Sequence, residues 1–368
     1  MYLIDEKQKN TSTTLSSGCC DKFWFTENDG NQYLFKQRYK NLKTDLGEVF
    51  SSFLFKKLGI ENYVDYSFAK CTKQDETQGT ICKSFLKANN TNIAFYEILV
   101  ELAEKNLLQG FDANENFKEI MDSDVYELTE NGDLTENGDL TENGELTDAM
   151  LNFLSNFGGV YQNSVDYVCE NVKIYAELNN LNIDIDKIRK NLIEMVTLDF
   201  FMSQSDRHMS NIDFILSNDK DNSISLAPLY DNGYCFYLNV IDLISFDSND
   251  DVAHGFFSIR SRLGISEIGR TNEDFWNNKW FKNSGLIISD IQDEIKKDEN
   301  LKNLYDKLTH LNLNELFNEF EVTYNYKIDK ETRNIITFAY NTQIKKVNEF
   351  TKMKNTKLNK NEPLLTMN

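Results

Sequence analysis

Two aspartates and one asparagine carry spacings that could do chemistry. Asp206 and Asn211 stand five apart in a polar stretch, and Asp231 follows after an apolar run (Ile212 to Leu216), a polar turn (Ser217 to Asn222) and a second run (Ser223 to Ala227). That pattern predicts a β-hairpin. A hairpin returns the chain to where it started, so Asp231 is expected beside Asn211. Two carboxylates and an amide then converge at one edge of the fold. Oxygen donors of this kind suit Mg²⁺, which is usually held by one or two carboxylates plus substrate phosphates. One carboxylate, Asp206, is left to orient a hydroxyl. Phosphoryl transfer needs this division, because it depends on positioning and charge neutralisation more than on covalent participation by the protein. Taken singly, Asp206 and Asp231 also read as a helix cap and a turn residue. Their order with Asn211 around a hairpin is what argues for a site.

The 368 residues that must position this set favour two domains or one two-lobed unit over a single small core. Hydrophobic residues at 40% and aromatics at 12% are too much core material for disorder. The formal net charge of −20 repels nucleic acid and anionic membrane surfaces, so no direct nucleic-acid binding is expected, and an anionic ligand must be held by a local cluster or a metal. No apolar run reaches the roughly 18 to 20 residues of a membrane span, and Met1 to Asn10 lacks the shape of a signal peptide. A soluble, cytoplasmic product is the expectation. Six cysteines without a CxxC pair point to reduced thiols, and three histidines make histidine-rich metal chemistry a poor fit.

Upstream, Lys22 to Thr26 and Gln32 to Gln37 flank Asn28-Asp29-Gly30 and predict a second hairpin. From Asp45 the apolar period becomes helical through Val49, Phe50, Phe53, Leu54 and Leu58, with Gly59 as the stop. Ile60 to Lys70 and Gly79 to Phe85 return to strand character. Past Ala88 the chain reads as mainly helical. Asp186 is expected to cap an apolar helix running to Phe200, and Ser289 to about Val347 is helical by pattern, followed after Thr351 by a loosely ordered tail. Residues 128–147 repeat Leu-Thr-Glu-Asn-Gly-Asp/Glu; the period is too short for a solenoid unit and the spacing does not match an EF-hand, so a solvated acidic loop is expected.

The order Asp206-Arg207-His208-x-x-Asn211, together with Ala227-Pro228-Leu229-Tyr230-Asp231-Asn232-Gly233, resembles the HipA-like serine/threonine kinases of bacterial toxin–antitoxin systems. Asp231-Asn232-Gly233 stands where protein kinases carry Asp-Phe-Gly, with Asn232 replacing Phe. The resemblance implies an α+β fold with two protein-kinase-like lobes: a small β-rich N-lobe over residues 1–87 and a larger helical C-lobe over 88–368, with ATP between them. It implies an ATP- and Mg²⁺-dependent serine/threonine protein kinase. Asp206 and His208 would serve catalysis, Asn211 would serve both catalysis and the metal, and Asp231 would bind the metal. Leu34-Phe35-Lys36 resembles the strand whose Lys36 grips phosphate, with Glu48 as its partner on the next helix. Ser16-Ser17-Gly18, followed by Asp21-Lys22, resembles the short phosphate-loop region that precedes this strand, and Ile81 to Leu86, with Ser84 and Phe85, the hinge at adenine. A full Gly-x-Gly-x-x-Gly loop is missing. The resemblance further implies a protein substrate with a Ser or Thr acceptor, an antitoxin-like partner, and action as a toxin or as an effector delivered to another cell.

Alternative readings stand beside these. Glu48 fits a capping box with Asp45. His208 fits a loop brace as well as a catalytic group. Arg207 fits an ion pair better than a phosphate contact, and Trp276 with Trp280 fits core packing. Asp213 is the next metal candidate after Asp231. A phosphatidylinositol-type lipid kinase shares Asp-Arg-His-x-x-Asn but would need a basic patch, and a catalytically silent interaction protein would not need all three polar residues. Thr11, Ser12, Thr13, Thr14, Ser16 and Ser17 crowd the stretch before Gly18 and suggest self-phosphorylation.

Overall fold

The computed structural model describes residues 2–5, 22–27, 30–38, 42–72, 77–87, 89–105, 107, 164–204, 207, 211–219, 221–238 and 295–359. Five strands, β1 (Tyr2–Asp5), β2 (Lys22–Thr26), β3 (Gln32–Gln37), β4 (Tyr66–Thr72) and β5 (Thr77–Lys83), form one sheet in the order β1-β4-β5-β3-β2, with helix α1 (Thr44–Leu58) on one face. The sheet is antiparallel except for the parallel β1–β4 edge. Alternation decides its two faces. Phe25, Phe35, Ala69, Cys71, Ile81 and Ile4 pack on the side away from α1, flanked by Phe23 and Tyr33. Leu34, Tyr66, Phe68 and Cys82 join the main core.

The hairpin of β2 and β3 forms as the sequence predicts. Helix α1 begins one residue before the expected Asp45 and ends at Gly59, whose φ of 81° supplies the left-handed stop that a Cβ would penalise. The expected strand Ile60 to Lys70 is shorter: the ladder begins at Tyr66. The preceding residues instead cross to the other lobe, where Val64 N donates to Leu229 O at 2.8 Å and Leu229 N to Asn62 O at 2.9 Å. Ladder pairing is lost there because these amides are spent on the lead-in to Asp231.

After β6 (Asn90–Ala94) come α2 (Phe95–Glu104), α3 (Ser164–Leu178), β7 (Asn182–Ile183), α4 (Ile185–Phe201), β8 (Asp213–Ser217) and β9 (Ser223–Leu226). The four strands order as β6-β8-β9-β7, and the β8–β9 hairpin pairs Phe214 with Leu226 and Ser217 with Ser223. Among the described residues, α5 (Glu299–Thr309), α6 (Leu313–Tyr324) and α7 (Lys330–Asn359) follow. Asp184, not Asp186, caps α4, accepting from Lys187 N at 3.0 Å. It is the residue with non-helical backbone, while Asp186 lies within the first turn. The C-terminal helix also outruns the expected loose tail, reaching Asn359.

The main core runs without a break from α1 into the C-terminal helices. Phe320 of α6 meets Phe50 at 5.2 Å and Phe53 at 5.5 Å, both edge-on, and Phe68 stacks on Tyr326 at 4.6 Å. The helix bearing Glu48 is therefore wedged between sheet and C-lobe. Among the described residues no helix is long and apolar enough to cross a membrane, and Cys71, Cys82, Cys169 and Cys235 are buried thiols. Residues 128–147, Trp276 and Trp280 lie outside the described residues.

Candidate active site

Lys36 leaves β3 toward α1 and meets two carboxylates. Its Nζ donates to Glu48 Oε1 at 2.7 Å and is ion-paired with Asp231 Oδ1. Burial alone would lower the Lys36 pKa, but the charges of Asp231 and Glu48 outweigh it and hold the ammonium well above its ordinary value. Glu48 does not cap its helix. Its second oxygen accepts the backbone N–H of Asn232 at 2.8 Å, and Asp45 is taken by Arg38 through two bonds of 2.9 and 2.6 Å. The capping-box alternative fails because both of its carboxylates have better partners across the fold. Burial raises the Glu48 pKa despite Lys36, whereas Asp231, also opposed by burial, is held well below the usual carboxylate range by Lys36 and then Lys22.

Asp231 itself adopts a left-handed backbone with φ of 56°, a conformation that costs roughly 1–3 kcal/mol unless the surroundings fix it. They do so on both sides: Gln204 Nε2 donates to Asp231 O at 2.9 Å, and the next amide is held by Glu48. Close approach also matters. A Cβ on Gly47 of α1 would collide with the Gly233 carbonyl, and one on Gly233 would come within 3.2 Å of Thr44. Two glycines thus let the helix of Glu48 lie directly on the loop of Asp231.

Arg207 is the second centre. Nε and Nη2 pair with Asp199 of α4 at 3.0 and 3.2 Å, Nη1 donates to Asn211 O at 3.0 Å and Tyr230 O at 2.9 Å, and Nη2 donates to Asn232 Oδ1 at 2.9 Å. All five guanidinium donors are used. The bracket brings the backbone of Asn211 next to that of Tyr230, the neighbour of Asp231, and explains the Asn in place of Phe: Asn232 Oδ1 completes the Arg207 shell. Its own Nδ2 finds no partner among the described residues.

Of the other residues read from the sequence, Ser17, Gly18, Asp206 and His208 lie outside the described residues. Asn211 is buried at the head of the β8–β9 hairpin. Ser84 follows β5 and is tied to the neighbouring β3: its amide donates to Gln32 O at 2.8 Å, and its hydroxyl accepts from Leu86 N at 3.3 Å. Phe85 lies against Tyr230, ring centres 6.3 Å apart. Asp213 is engaged elsewhere, accepting from Asn92 Nδ2 at 3.0 Å and from the Tyr230 hydroxyl, and burial raises its pKa. Sequence reasoning missed Asp199, Gln204 and Gly47; a glycine inside an apolar helix was the one available signal.

Asp231 and Asn211 are oxygen donors, the ligand type that Mg²⁺ takes. Asp231 has a carboxylate whose side chain is 19% exposed, and Asn211 carries an amide oxygen. Among the described residues no group of three or more His, Cys, Asp or Glu could cage a metal. Mg²⁺ needs no such cage, since it keeps waters and takes oxygens from substrate phosphates.

Small sheet, wedged helix and a second, helical lobe define a two-lobed kinase-like α+β fold. The crystal structure of the Helicobacter pylori proinflammatory kinase CtkA is similar to this chain, with a TM-score of 0.50 and 13% sequence identity over 94% of each chain. No protein-family model matches the sequence, and no curated protein matches it.

Proposed function

We propose that the chain is an ATP- and Mg²⁺-dependent phosphotransferase of the HipA-like type, passing the γ-phosphoryl group to a Ser or Thr hydroxyl of a protein. The observation that carries the reading is the Lys36–Glu48–Asp231 cluster, assembled from β3, α1 and the loop after β9 in a kinase-like fold. Lys36, supported by Glu48, would hold phosphate. Asp231 and Asn211 would hold Mg²⁺, which when bound neutralises charge on the phosphates. Asp206 would orient the acceptor hydroxyl and take its proton, with His208 beside it. Ser17, Gly18, Ser84 and Phe85 would complete the nucleotide pocket, the first two over phosphate and the others at adenine. The toxin or effector role, the antitoxin-like partner and self-phosphorylation within Thr11 to Ser17 belong to the same reading.

Calorimetric titration with ATP, with and without Mg²⁺, tests the nucleotide half of this reading. Wild type should bind ATP in a Mg²⁺-dependent manner and Asp231→Asn should lose that dependence; Asn keeps the left-handed backbone accessible while removing the charge. Equal Mg²⁺ dependence in both proteins contradicts the metal role of Asp231.

A further inference from the structure

Helix α4 ends in a Schellman turn: Ser203 N donates to Phe200 O at 3.1 Å and Gln204 N to Asp199 O at 2.9 Å. The left-handed position of such a turn is usually glycine, but here it is Ser203, with φ of 52°. A side chain in that conformation is unfavourable unless something holds it. The turn is joined twice to the segment of Asp231. Gln204 Nε2 donates to Asp231 O at 2.9 Å, and Phe236 N donates to Met202 O at 2.6 Å. The serine is held from α7, where Gln343 Nε2 donates to Ser203 Oγ at 2.8 Å, both residues being buried. Gln343 shares its helix face with the buried Ile336, Ala339 and Val347, and its Oε1 finds no partner among the described residues. An orphaned buried oxygen is costly, so an apolar side chain would suit this position better if packing were its whole purpose. The helix that delivers the amide is itself fixed: Lys43 Nζ, just before α1, meets Asp329 and Thr332, each at 2.6 Å, and the Tyr340 hydroxyl donates to Leu308 O at 2.7 Å.

We propose that Gln343 of the C-terminal helix is a positioning residue for the candidate active site: it holds Ser203 in the left-handed turn that sets, through Gln204, the backbone of Asp231. The assignment rests on the nucleotide reading above and extends it to a helix that carries none of the sequence motifs. Asp206 follows Gln204 by two residues, so the same turn feeds both aspartates of the reading. Serine stands where glycine would be easier because its hydroxyl accepts the Gln343 amide, which ties the geometry of the turn to α7.

The test is calorimetric binding of Mg²⁺·ATP and adenosine, with melting curves, to wild type, Gln343→Met, Ser203→Ala, Ser203→Gly and the double variant Ser203→Gly/Gln343→Met. Methionine fills the space of the glutamine without donating, alanine keeps the left-handed penalty without accepting, and glycine adopts the turn unaided. Gln343→Met and Ser203→Ala should each weaken Mg²⁺·ATP by about three- to tenfold, the worth of one buried hydrogen bond, and leave adenosine, which carries no phosphate, unchanged. In the Ser203→Gly background, adding Gln343→Met should cost under about twofold. An equal loss in both backgrounds, an equal loss for both ligands, or a lowered melting temperature with Mg²⁺·ATP affinity intact overturns the assignment and leaves the nucleotide reading standing. If Gln343→Met does not fold, Ser203→Ala against Ser203→Gly decides, and equal Mg²⁺·ATP affinity of those two overturns the assignment. A well-folded wild type that binds neither ligand overturns both.

Discussion

Lys36 and Arg207 are both buried cations facing buried acids, yet they are built for different work. Arg207 spends its five donors on one carboxylate, two backbone carbonyls and one amide oxygen. Lys36 spends two on carboxylates, one of which, Asp231, is partly open. Guanidinium geometry fixes a fork of partners, whereas an ammonium is a point charge that can exchange one oxygen for another. The first centre locks the loop backbones of Asn211 and Tyr230 together; the second, on the function proposed above, would trade a carboxylate for phosphate.

That contrast is broken most directly at Arg207. Replacing it by Met leaves Asp199 charged and buried, a change that typically costs about 3–5 kcal/mol. Urea denaturation should show a loss of that order, with Arg207→Lys recovering little of it. A variant as stable as wild type would mean that the bracket is not what holds Asn211 beside Tyr230.

Lys36→Met should cost less, about 1.5–3 kcal/mol at neutral pH, as expected for lost charge-assisted bonds in a more open site. Its pH dependence is the sharper readout. Glu48 already titrates above its ordinary 4.5 through burial, and losing the opposing Lys36 charge raises it further. An acid whose folded pKa is raised is relatively stabilising below its unfolded value of about 4.5 and loses that contribution as pH rises through the folded value. The deficit of Lys36→Met against wild type should therefore be small near pH 4 and grow toward neutrality; a deficit independent of pH contradicts the pairing.

Gly47→Ala tests the contact between the two centres. Alanine inside a helix normally stabilises by roughly 0.8–1 kcal/mol relative to glycine. Here the new methyl meets the Gly233 carbonyl, so a loss of about 1–3 kcal/mol, typical of overpacking, is expected together with weaker ATP binding. Stabilisation would show that the loop yields.

The smallest effect lies at the edge of the comparison. Asp329 caps α7 through Thr332 N at 2.8 Å and pairs with Lys43 at 2.6 Å just before α1. Burial opposes its ionisation, but the bonds from Lys43 and Thr332 bring its pKa to about 2. Its contribution is present above the unfolded value near 3.8 and is lost as pH falls through about 2. Asp329→Asn, which can still cap, should cost under about 1 kcal/mol at pH 7 and clearly less at pH 2, where part of the charge is gone. An undiminished cost at pH 2 removes the charge from the explanation.

The same contrast explains what the sequence disclosed. Both hairpins were legible, because period-2 alternation around turn residues is local, and so was α1 with its Gly59 stop. Arg207 as an ion-pair residue was legible in kind, but its partner Asp199 was not, since a helix of apolar period gives no reason to single out one acid. Glu48 was split between a cap and a lysine partner. The deciding contact, Asn232 N to Glu48, spans 184 residues of sequence, and no local pattern reports it. The Asp184 cap and the full length of α7 were missed by small margins, as helix ends depend on a few dihedral angles.

The central claim is chemical, and transfer of label from γ-³²P-ATP measures it directly. With Mg²⁺ and a Ser/Thr protein acceptor, wild type should transfer phosphate to hydroxyl side chains. Asp206→Asn should lose about 10²-fold or more in rate, the usual worth of a positioned base, while binding Mg²⁺·ATP as wild type does. Transfer by Asp206→Asn at the wild-type rate, or no transfer by a wild type that binds Mg²⁺·ATP, would contradict the account.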